Sequence, residues 1–182
     1  VTIVPEGWSN NNQPVLYFQT VDETSGTDRF ECSIDNGPFA AVISPYTVPL
    51  LSDGEHSVEV KAVDRAGWEQ SAFVELLIDT TPPAAPGNFR GVGGNNKNIL
   101  KWTETDLDTV AFAITRDPAW ADGERVVSDF STSTFEEDGG TVAIQHGGYV
   151  DEETVNGDVA TYTIRAVDRA GNWSVPVSTP GI

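Results

Sequence analysis

The six-residue stretch AVDRAG occurs twice in the chain, at residues 62–67 and again at 166–171. An alternating run precedes each copy, VEVK at 58–61 and YTIR at 162–165. Alternation of apolar with polar residues is typical of a strand that buries one face. Another strand-like run follows each copy, so the sequence predicts that each AVDRAG is a bend between two strands.

The residue types within the repeat favour a turn over an active-site loop. Gly67 and Gly171 can adopt the positive φ that a tight turn requires, and the aspartates Asp64 and Asp168 can accept hydrogen bonds from turn amides. No His, Cys or Ser lies within a few residues of either aspartate to act as a catalytic partner. We therefore interpret both copies as the hairpin turn that joins the last two strands of a domain.

Short strand-like runs separated by turn signals fill both halves of the chain. The runs of the first half are PVLYFQTV (14–21), RFECSID (29–35), PFAAVI (38–43), HSVEVKAVD (56–64) and AFVELLID (72–79). The runs of the second half are NFRGV (88–92), NILKWT (98–103), VAFAITR (110–116), ERVVSDF (124–130), TVAI (141–144), ATYTIRAVD (160–168) and WSVPVS (173–178). Between two of these runs, Asn36-Gly37 predicts a tight hairpin turn with positive φ at both positions. The pattern predicts an all-β chain.

The stretch IDTTPPAAPG (78–87) marks a domain boundary. Pro82 and Pro83 lack amide donors and hold the chain extended, which favours a short, stiff linker. The predicted division is a first domain at 1–80, a linker at 81–86 and a second domain at 87–182.

The second domain contains an enlarged region at 117–148. It carries the polar and glycine-rich stretches EEDGG (136–140) and HGG (146–148). This region is longer than a minimal β-sandwich needs, and long connections often carry binding function.

Composition and charge exclude several classes of function. The chain of 182 residues has 28 acidic and 10 basic side chains, for a net charge of −18, so it repels a phosphate backbone and no nucleic-acid partner is expected. The longest apolar runs, such as AFVELLI (72–78), are too short to span a bilayer, so no membrane insertion is expected. Cys32 is alone, which excludes an internal disulfide. The chain contains no Met and starts on VTIVP, so we expect it to be a piece of a longer protein.

Residues 84–182 resemble a fibronectin type III domain. The stretches that carry the resemblance are AAPGNFRGV (84–92), ILKWT (99–103), YVDEETVNG (149–157) and TYTIRAVDRAGNWS (161–174). The resemblance implies that Trp102 is the core tryptophan and that Tyr162 occupies the tyrosine-corner position.

Residues 1–80 resemble the bacterial Ig-like modules that occur in tandem in large surface proteins. The carrying stretches are ECSIDNGPF (31–39), SPYTV (44–48), LSDGEH (51–56), VEVKAVDRAGW (58–68) and DTTPP (79–83). Some of the similar modules pair a Cys at the place of Cys32 with a second one, but Val42 occupies roughly that second place here. Together the two resemblances imply two tandem Greek-key β-sandwiches in an extracellular or cell-surface protein of bacterial or phage type, with other modules of the same parent protein as partners.

The carboxylates make calcium the one candidate cofactor. The only histidines, His56 and His146, lack the spacing of a zinc site, and a Ser-His-Asp triad is not expected. Acid-rich stretches such as DEE (151–153) could ligate Ca²⁺ through oxygen, although most acid-rich loops are simply solvated. The candidate ligands are Asp64 and Asp79, near the domain junction, and Asp151 and Glu152.

The tryptophans divide into core and candidate binding residues. Alternation places Trp102 in the core. Trp68 and Trp173 follow the repeated turn and can pack against it or contact a ligand. Trp120, in the polar segment DPAWADGE, is the best candidate for an exposed aromatic residue, although a loop tryptophan more often folds back onto the sandwich.

These observations predict a non-catalytic structural spacer that can also display a binding loop. The first alternative is an adhesion module that recognises a glycan or a host protein through 117–148 and Trp120. The second is an accessory module of a carbohydrate-active enzyme. The repeated motifs are specific for fold and carry little information about ligand.

Overall fold

The computed structural model describes residues 1–21, 26–104, 106–128, 131–137 and 140–182. The chain divides into two compact units, unit 1 at Val1–Thr81 and unit 2 at Pro82–Ile182. All the regular elements in the described residues are β-strands, so the predicted all-β class is confirmed. None of the described segments is a helix long and apolar enough to cross a membrane.

Unit 1 is built from two sheets. Its strands are β1 (Thr2–Val4), β2 (Gly7–Ser9), β3 (Val15–Gln19), β4 (Thr27–Ile34), β5 (Ala40–Val42), β6 (Tyr46–Thr47), β7 (Gly54–Asp64) and β8 (Glu69–Ile78). The smaller sheet has the order β1-β3-β6, and the larger has the order β2-β8-β7-β4-β5. Neighbouring strands run antiparallel, except that β2 runs parallel to β8.

The core of unit 1 follows from alternation along the long strands. Val58 and Val60 of β7 are fully buried, and Leu16 and Phe18 of β3 meet them from the other sheet. The ring of Phe18 packs edge-on against Phe30, with 5.0 Å between centroids. Burying each of these large side chains contributes about 1.5–3 kcal/mol, so the unit has a hydrophobic core of its own.

Unit 2 also contains two sheets. Its strands are β9 (Gly87–Gly94), β10 (Lys97–Glu104), β11 (Thr109–Asp117), β12 (Arg125–Val127), β13 (Ser131–Glu137), β14 (Gly140–Asp151), β15 (Thr161–Asp168) and β16 (Val177–Ser178). One sheet has the order β13-β14-β10-β9, and the other has the order β12-β11-β15-β16. All the pairings are antiparallel.

The second core forms where the two sheets of unit 2 face each other. Every second residue of β15 is buried, including Tyr162 and Ile164. They belong to the same cluster as Phe112 and as Leu100 and Trp102 of the facing sheet. Trp102 is 2% exposed, and its ring lies 5.2 Å from that of Phe112. The core clusters of the two units share no residue.

The region 117–148 is mostly strand rather than an enlarged connection. It contains β12, β13 and most of β14, and the last two pair from Ser131↔His146 to Glu137↔Gly140. The extra residues therefore extend a sheet, and a binding role for this region stays a prediction. Within the stretch EEDGG, residues 138–139 lie outside the described residues.

The first AVDRAG is the hairpin turn between β7 and β8. Gly67 has a φ of 87°. The Asp64 carboxylate accepts hydrogen bonds from the amides of Ala66 and Trp68, each at 2.8 Å. The aspartate thus satisfies amides that the turn leaves without a backbone partner.

The second AVDRAG makes the same turn after β15. Gly171 has a φ of 89°, and the Asp168 carboxylate accepts a hydrogen bond from the Asn172 amide at 2.8 Å. Across the turn, Val167 bridges to Trp173 in antiparallel fashion. The repeat is a structural element of each unit.

The hairpin after β4 forms one residue earlier than the sequence predicts. Asp35 and Asn36 carry the positive φ values, 51° and 57°, and the Gly37 amide donates to the Ile34 carbonyl at 2.8 Å. Gly37 is needed for a different reason, because a Cβ there would lie 2.9 Å from that carbonyl oxygen.

Candidate functional site

The most concentrated polar chemistry in the described residues surrounds Asp151 at the end of β14. Its side chain is 1% exposed. One carboxylate oxygen accepts hydrogen bonds from Arg116 at 2.8 Å and from the Tyr162 hydroxyl at 2.6 Å. The other accepts from the Trp120 indole at 3.2 Å and from the Glu153 amide at 3.0 Å. Such a saturated, charge-assisted cluster fixes β11, β14 and β15 relative to one another.

Trp120 is part of this cluster and is 3% exposed. Two guanidinium groups lie close to its ring, with the Cζ atoms of Arg116 and Arg125 at 5.0 and 4.9 Å from the ring centroid. The rings of Tyr149 and Tyr162 lie 5.8 and 6.0 Å away. The interpretation of Trp120 as an exposed binding residue is therefore corrected: it folds back onto the sandwich.

The electrostatics of the cluster fix which groups are charged. Burial alone raises the pKa of Asp151, but the hydrogen bonds from Tyr162, the Glu153 amide, Arg116 and Trp120 outweigh it and lower the pKa below its ordinary value. Burial, followed by the bond to Asp151, raises the pKa of Tyr162 to about 12. Asp151 is therefore an ionised acceptor and Tyr162 a neutral donor at neutral pH. The Tyr162 hydroxyl donates to the Asp151 carboxylate and accepts a hydrogen bond from the Asn98 side-chain amide at 3.0 Å.

The candidate calcium ligands occupy different places within their units. In unit 1, Asp64 is the last residue of β7 and Asp79 follows the end of β8, so the turn and the length of β8 separate them along the chain. Asp79 accepts a hydrogen bond from the Thr81 amide at 2.9 Å. In unit 2, Asp151 is saturated by protein donors and Glu152 is exposed. Calcium binding by these residues stays a prediction, for which a melting curve with and without EDTA is the measurement.

The two other candidate aromatic residues are at the surface. Trp68 is 78% exposed and lines a groove of about 290 Å³ together with Val21 and Gln70. Trp173 is 40% exposed, and the Arg165 guanidinium stacks on its ring at 4.1 Å. A role of either residue in ligand binding stays a prediction.

His56 is held by two fixed partners. Its Nδ1 contacts the Asp35 carboxylate at 2.7 Å, and its Nε2 contacts the Ser52 carbonyl at 2.9 Å. The bond to Asp35, followed by that to the carbonyl, raises the pKa of His56 above its usual value. The imidazolium donates both of its protons to structural acceptors, which suits a stabilising role rather than that of a general base.

We expect the stability of unit 1 to fall as the pH rises through the raised pKa of His56. The His56–Asp35 pair contributes its full stabilisation below the pKa of an unfolded histidine, about 6.5. That stabilisation is lost above the pKa of His56 in the folded state. Asp35 is half exposed, with 49% of its side chain in solvent, so the effect is under about 1 kcal/mol. Urea unfolding at several pH values measures it. Asp35→Asn keeps an acceptor for the Ser57 amide and should flatten the pH slope, and an unchanged slope would contradict the assignment.

We expect Cys32 to react with thiol reagents only when unit 1 unfolds. It is 4% exposed, and burial raises the pKa of its thiol to about 11, so little reactive thiolate exists at pH 8. Labelling with an aromatic disulfide should be slow in buffer and fast in concentrated urea. Free glutathione, labelled under both conditions, controls for the effect of urea on the reagent itself. Rapid labelling of the folded chain would show that the core around Cys32 opens readily.

No protein-family model and no curated protein matches the sequence. Among solved structures, the chain is similar to the fibronectin(III)-like modules of CbhA from Clostridium thermocellum, with 15% identity and a TM-score of 0.58, over 98% of this chain and 90% of that one. The chain has the all-β, tandem β-sandwich fold of such modules. At this level of identity the likeness shows the fold.

Two further solved structures match at lower TM-scores. Domains of titin match with 14% identity and a TM-score of 0.46, over 89% of this chain and 50% of that one. The protein SGBP-B from Bacteroides ovatus, solved with a mixed-linkage heptasaccharide, matches with 14% identity and a TM-score of 0.32, over 94% of this chain and 41% of that one.

Sequence reasoning missed the Asp151 cluster. Asp151 lies 35 residues from Arg116 and 31 residues from Trp120 in the sequence, and nothing in the local pattern connects it to them. The only available signal was the implied tyrosine corner at Tyr162, since a buried phenol requires a hydrogen-bond partner.

Proposed function

We propose that the chain is a non-catalytic, load-bearing spacer of a larger extracellular or cell-surface protein. The observation that carries the proposal is the pairing of β2 with β8 in the Ig-like unit. Strand β2 lies near the N-terminus of the unit and β8 near its C-terminus. The two strands pair in parallel, with Gly7 opposite Leu76 and Ser9 opposite Ile78.

Parallel pairing near the two ends determines how tension acts. Tension pulls the start of β2 and the end of β8 in opposite directions along the strand axis, so the hydrogen bonds of the ladder are loaded together in shear. The Asp79 amide extends the ladder by donating to the Ser9 carbonyl at 3.0 Å. Hydrogen bonds that must break together resist force better than bonds that open one at a time. The arrangement therefore controls the rate of forced unfolding.

Side chains hold the chain on both sides of the proline pair, each within its own unit. In the Ig-like unit, the Asp53 carboxylate accepts hydrogen bonds from the Thr80 amide and hydroxyl at 3.0 and 2.8 Å, and from the Thr81 hydroxyl at 3.0 Å. In the fibronectin type III-like unit, the Asp106 carboxylate accepts from the Ala84 amide at 2.9 Å. Only the two prolines lie between these attachments, and each proline fixes its own φ.

The chemistry of the buried groups supports a non-catalytic role. His56, Asp151 and Tyr162 each bond to protein partners, and Cys32 has a raised pKa. Catalytic groups need access to substrate, and all four of these side chains are buried. An extracellular setting agrees with the net charge of −18, which favours solubility.

Force measurements on the full chain held by its two ends test the proposal. Ser9→Pro removes an amide from β2 and should make the Ig-like unit unfold roughly tenfold faster at a fixed force, which corresponds to about 1.4 kcal/mol of lost barrier. Ala41→Pro is the matched control, because it alters β5, the edge strand at the other side of the same sheet. We expect that control to leave the forced unfolding rate much closer to wild type. If Ser9→Pro behaves like wild type under force, the load-bearing role is wrong.

A further inference from the structure

Three basic side chains lie together on the outer face of the sheet that contains β9 and β10. Arg90 of β9 is directly opposite Lys101 of β10, and Lys97 comes four residues before Lys101 on the same strand. Leu100 and Trp102 of β10 are buried in the core, so alternation directs the lysines to the solvent side. All three basic residues are exposed. We call Arg90, Lys97 and Lys101 the basic patch.

The basic patch is not neutralised by the described part of the protein. The ion pairs of arginine and lysine among the described residues are made by other side chains, namely Arg29, Lys61, Arg116, Arg125 and Arg165. Like charges directly opposite each other destabilise a sheet, as Arg90 and Lys101 must do. The chain has 28 acidic side chains, so this unpaired arrangement is unusual for its composition. Packing within the fold does not account for it, whereas an acidic partner would.

A row of aliphatic side chains crosses the basic patch. Val92, Ile99 and Val150 are register partners on β9, β10 and β14. Val92 is 60% exposed and Val150 is 44% exposed. Because Ile99 lies midway between the two lysines of β10, the row has positive charge on both sides. We call these three residues the apolar row.

The surface is concave where the basic patch and the apolar row meet. A groove of about 240 Å³ is lined by Arg90, Val92, Ile99 and Lys101. On the far side of Lys101, its register partner on β14 is Gly148, which contributes no side chain. A bound group could therefore lie beside the Lys101 ammonium and contact the aliphatic side chains as well.

The dimensions of this face favour a short, extended occupant. Lys97 and Lys101 are roughly 13 Å apart along β10, and β9 is roughly 10 Å from β14. An area of this size is far smaller than the roughly 800 Å² that each partner contributes to a stable protein interface. Along β10 the order of side chains is cation, aliphatic, cation, at every second residue. An extended peptide has the same spacing on each of its sides, so acidic, apolar and acidic side chains at every second position would match it.

We propose that the basic patch and the apolar row bind a short, extended segment of another protein that presents acidic, apolar and acidic side chains on one side. The carboxylates of the segment contact Lys97 and Lys101, and Arg90 reinforces the second contact. The apolar side chain of the segment covers Ile99. This binding function goes beyond the spacer role and does not depend on it.

The net charge of −18 limits how long the acidic partner can be. A nucleic acid or another long polyanion would extend past the basic patch onto acidic surface, and a second copy of the chain would bring its own −18. A segment with two carboxylates needs only the patch. At about 0.15 M salt the Debye length is about 8 Å, so carboxylates beyond the patch are screened more than the charges in contact.

Nuclear magnetic resonance titration of the full chain tests the proposal. The probe is the peptide Glu-Ser-Val-Ser-Glu with blocked ends, which carries its two carboxylates on the same side as valine. The control, Ser-Glu-Val-Glu-Ser, has the same composition and charge but carries the carboxylates on the side opposite valine. We expect the probe to shift the amide signals of residues 90–92 and 97–101 most strongly and to bind roughly threefold tighter than the control. Its binding should weaken as the salt approaches about 1 M, where even contact charges are screened.

Several results would overturn the proposal. They are equal binding of probe and control, no shift of these signals at millimolar probe, and shifts concentrated elsewhere in the chain. Tighter binding of an oligogalacturonate with the same number of carboxylates would assign the face to an anionic polysaccharide instead. Dimerisation through this face would assign it to a second copy.

Two variants of equal charge locate the binding chemistry. Lys101→Gln removes one charge of the opposed pair and should weaken binding of the probe roughly twofold to fivefold. Because it also relieves the repulsion with Arg90, the variant should be no less stable than wild type. Arg169→Gln is the matched control, since it removes the same charge from an exposed residue of the second AVDRAG turn, and it should leave binding unchanged. Equal weakening by both variants would mean that the probe responds only to net charge, which would contradict the proposal. Force measurements on the spacer are independent of this titration.

Discussion

Asp151→Ala is expected to lower the unfolding free energy of the fibronectin type III-like unit by about 3–5 kcal/mol, the range for breaking a buried ion pair by removing one partner. The variant leaves the Arg116 guanidinium without its buried carboxylate and removes the acceptor of the Tyr162 hydroxyl and the Trp120 indole. Urea unfolding followed by tryptophan fluorescence measures the loss.

Glu152→Ala is the matched control for this prediction. The residue is the next in the chain and is exposed, so its loss should change stability by no more than about 0.5 kcal/mol. Similar losses from both variants would mean that the Asp151 cluster does not hold the sheets together.

The same carboxylate gives the unit an acid-sensitive component of stability. Because the pKa of Asp151 is lowered in the folded state, its contribution is present above the unfolded value of about 3.9 and is lost as the pH falls through the folded pKa. Asp151→Asn should lower stability at neutral pH and flatten the acid limb of the stability curve.

Gly147→Ala is expected to destabilise the same unit by about 3 kcal/mol or more, at the upper end for an overpacked core. A Cβ at this position would lie 2.0 Å from the Trp102 ring. The indole cannot move away easily, because it is 2% exposed and packs against the rings of Phe89 and Phe112 at 6.4 and 5.2 Å.

Gly148→Ala provides the control for the glycine prediction. A Cβ there would meet only the Leu100 carbonyl oxygen at 3.6 Å, an ordinary contact, so a much smaller change is expected. Thermal unfolding of both variants separates the two cases. A Gly147→Ala variant as stable as wild type would show that Trp102 can repack.

The long strands and the repeated turns could be predicted from sequence because their signals are local. Alternation identified β7 and β15, and the Asp-Arg-Ala-Gly composition identified the turns that follow them. The exit turn of β4 was misplaced by one residue because Asp35 and Asn36 both tolerate positive φ, and composition alone does not say which pair forms the turn.

Short and non-local features could not be predicted. Strand β2 has 3 residues, too few for any periodicity, and its parallel partner lies at the far end of the unit. That Trp120 folds back agrees with the general tendency of loop tryptophans, but the pairing of its indole with Asp151 could not be predicted because it depends on the fold.

The two units have separate hydrophobic cores, and the unfolding of separated halves shows whether each core is sufficient for its own unit. Residues 1–81 and residues 82–182, produced as individual chains, should each unfold cooperatively in urea with nearly the midpoint that they show in the full chain. A half that is unfolded alone, or that loses most of its stability when separated, would contradict the description of the chain as two self-sufficient sandwiches.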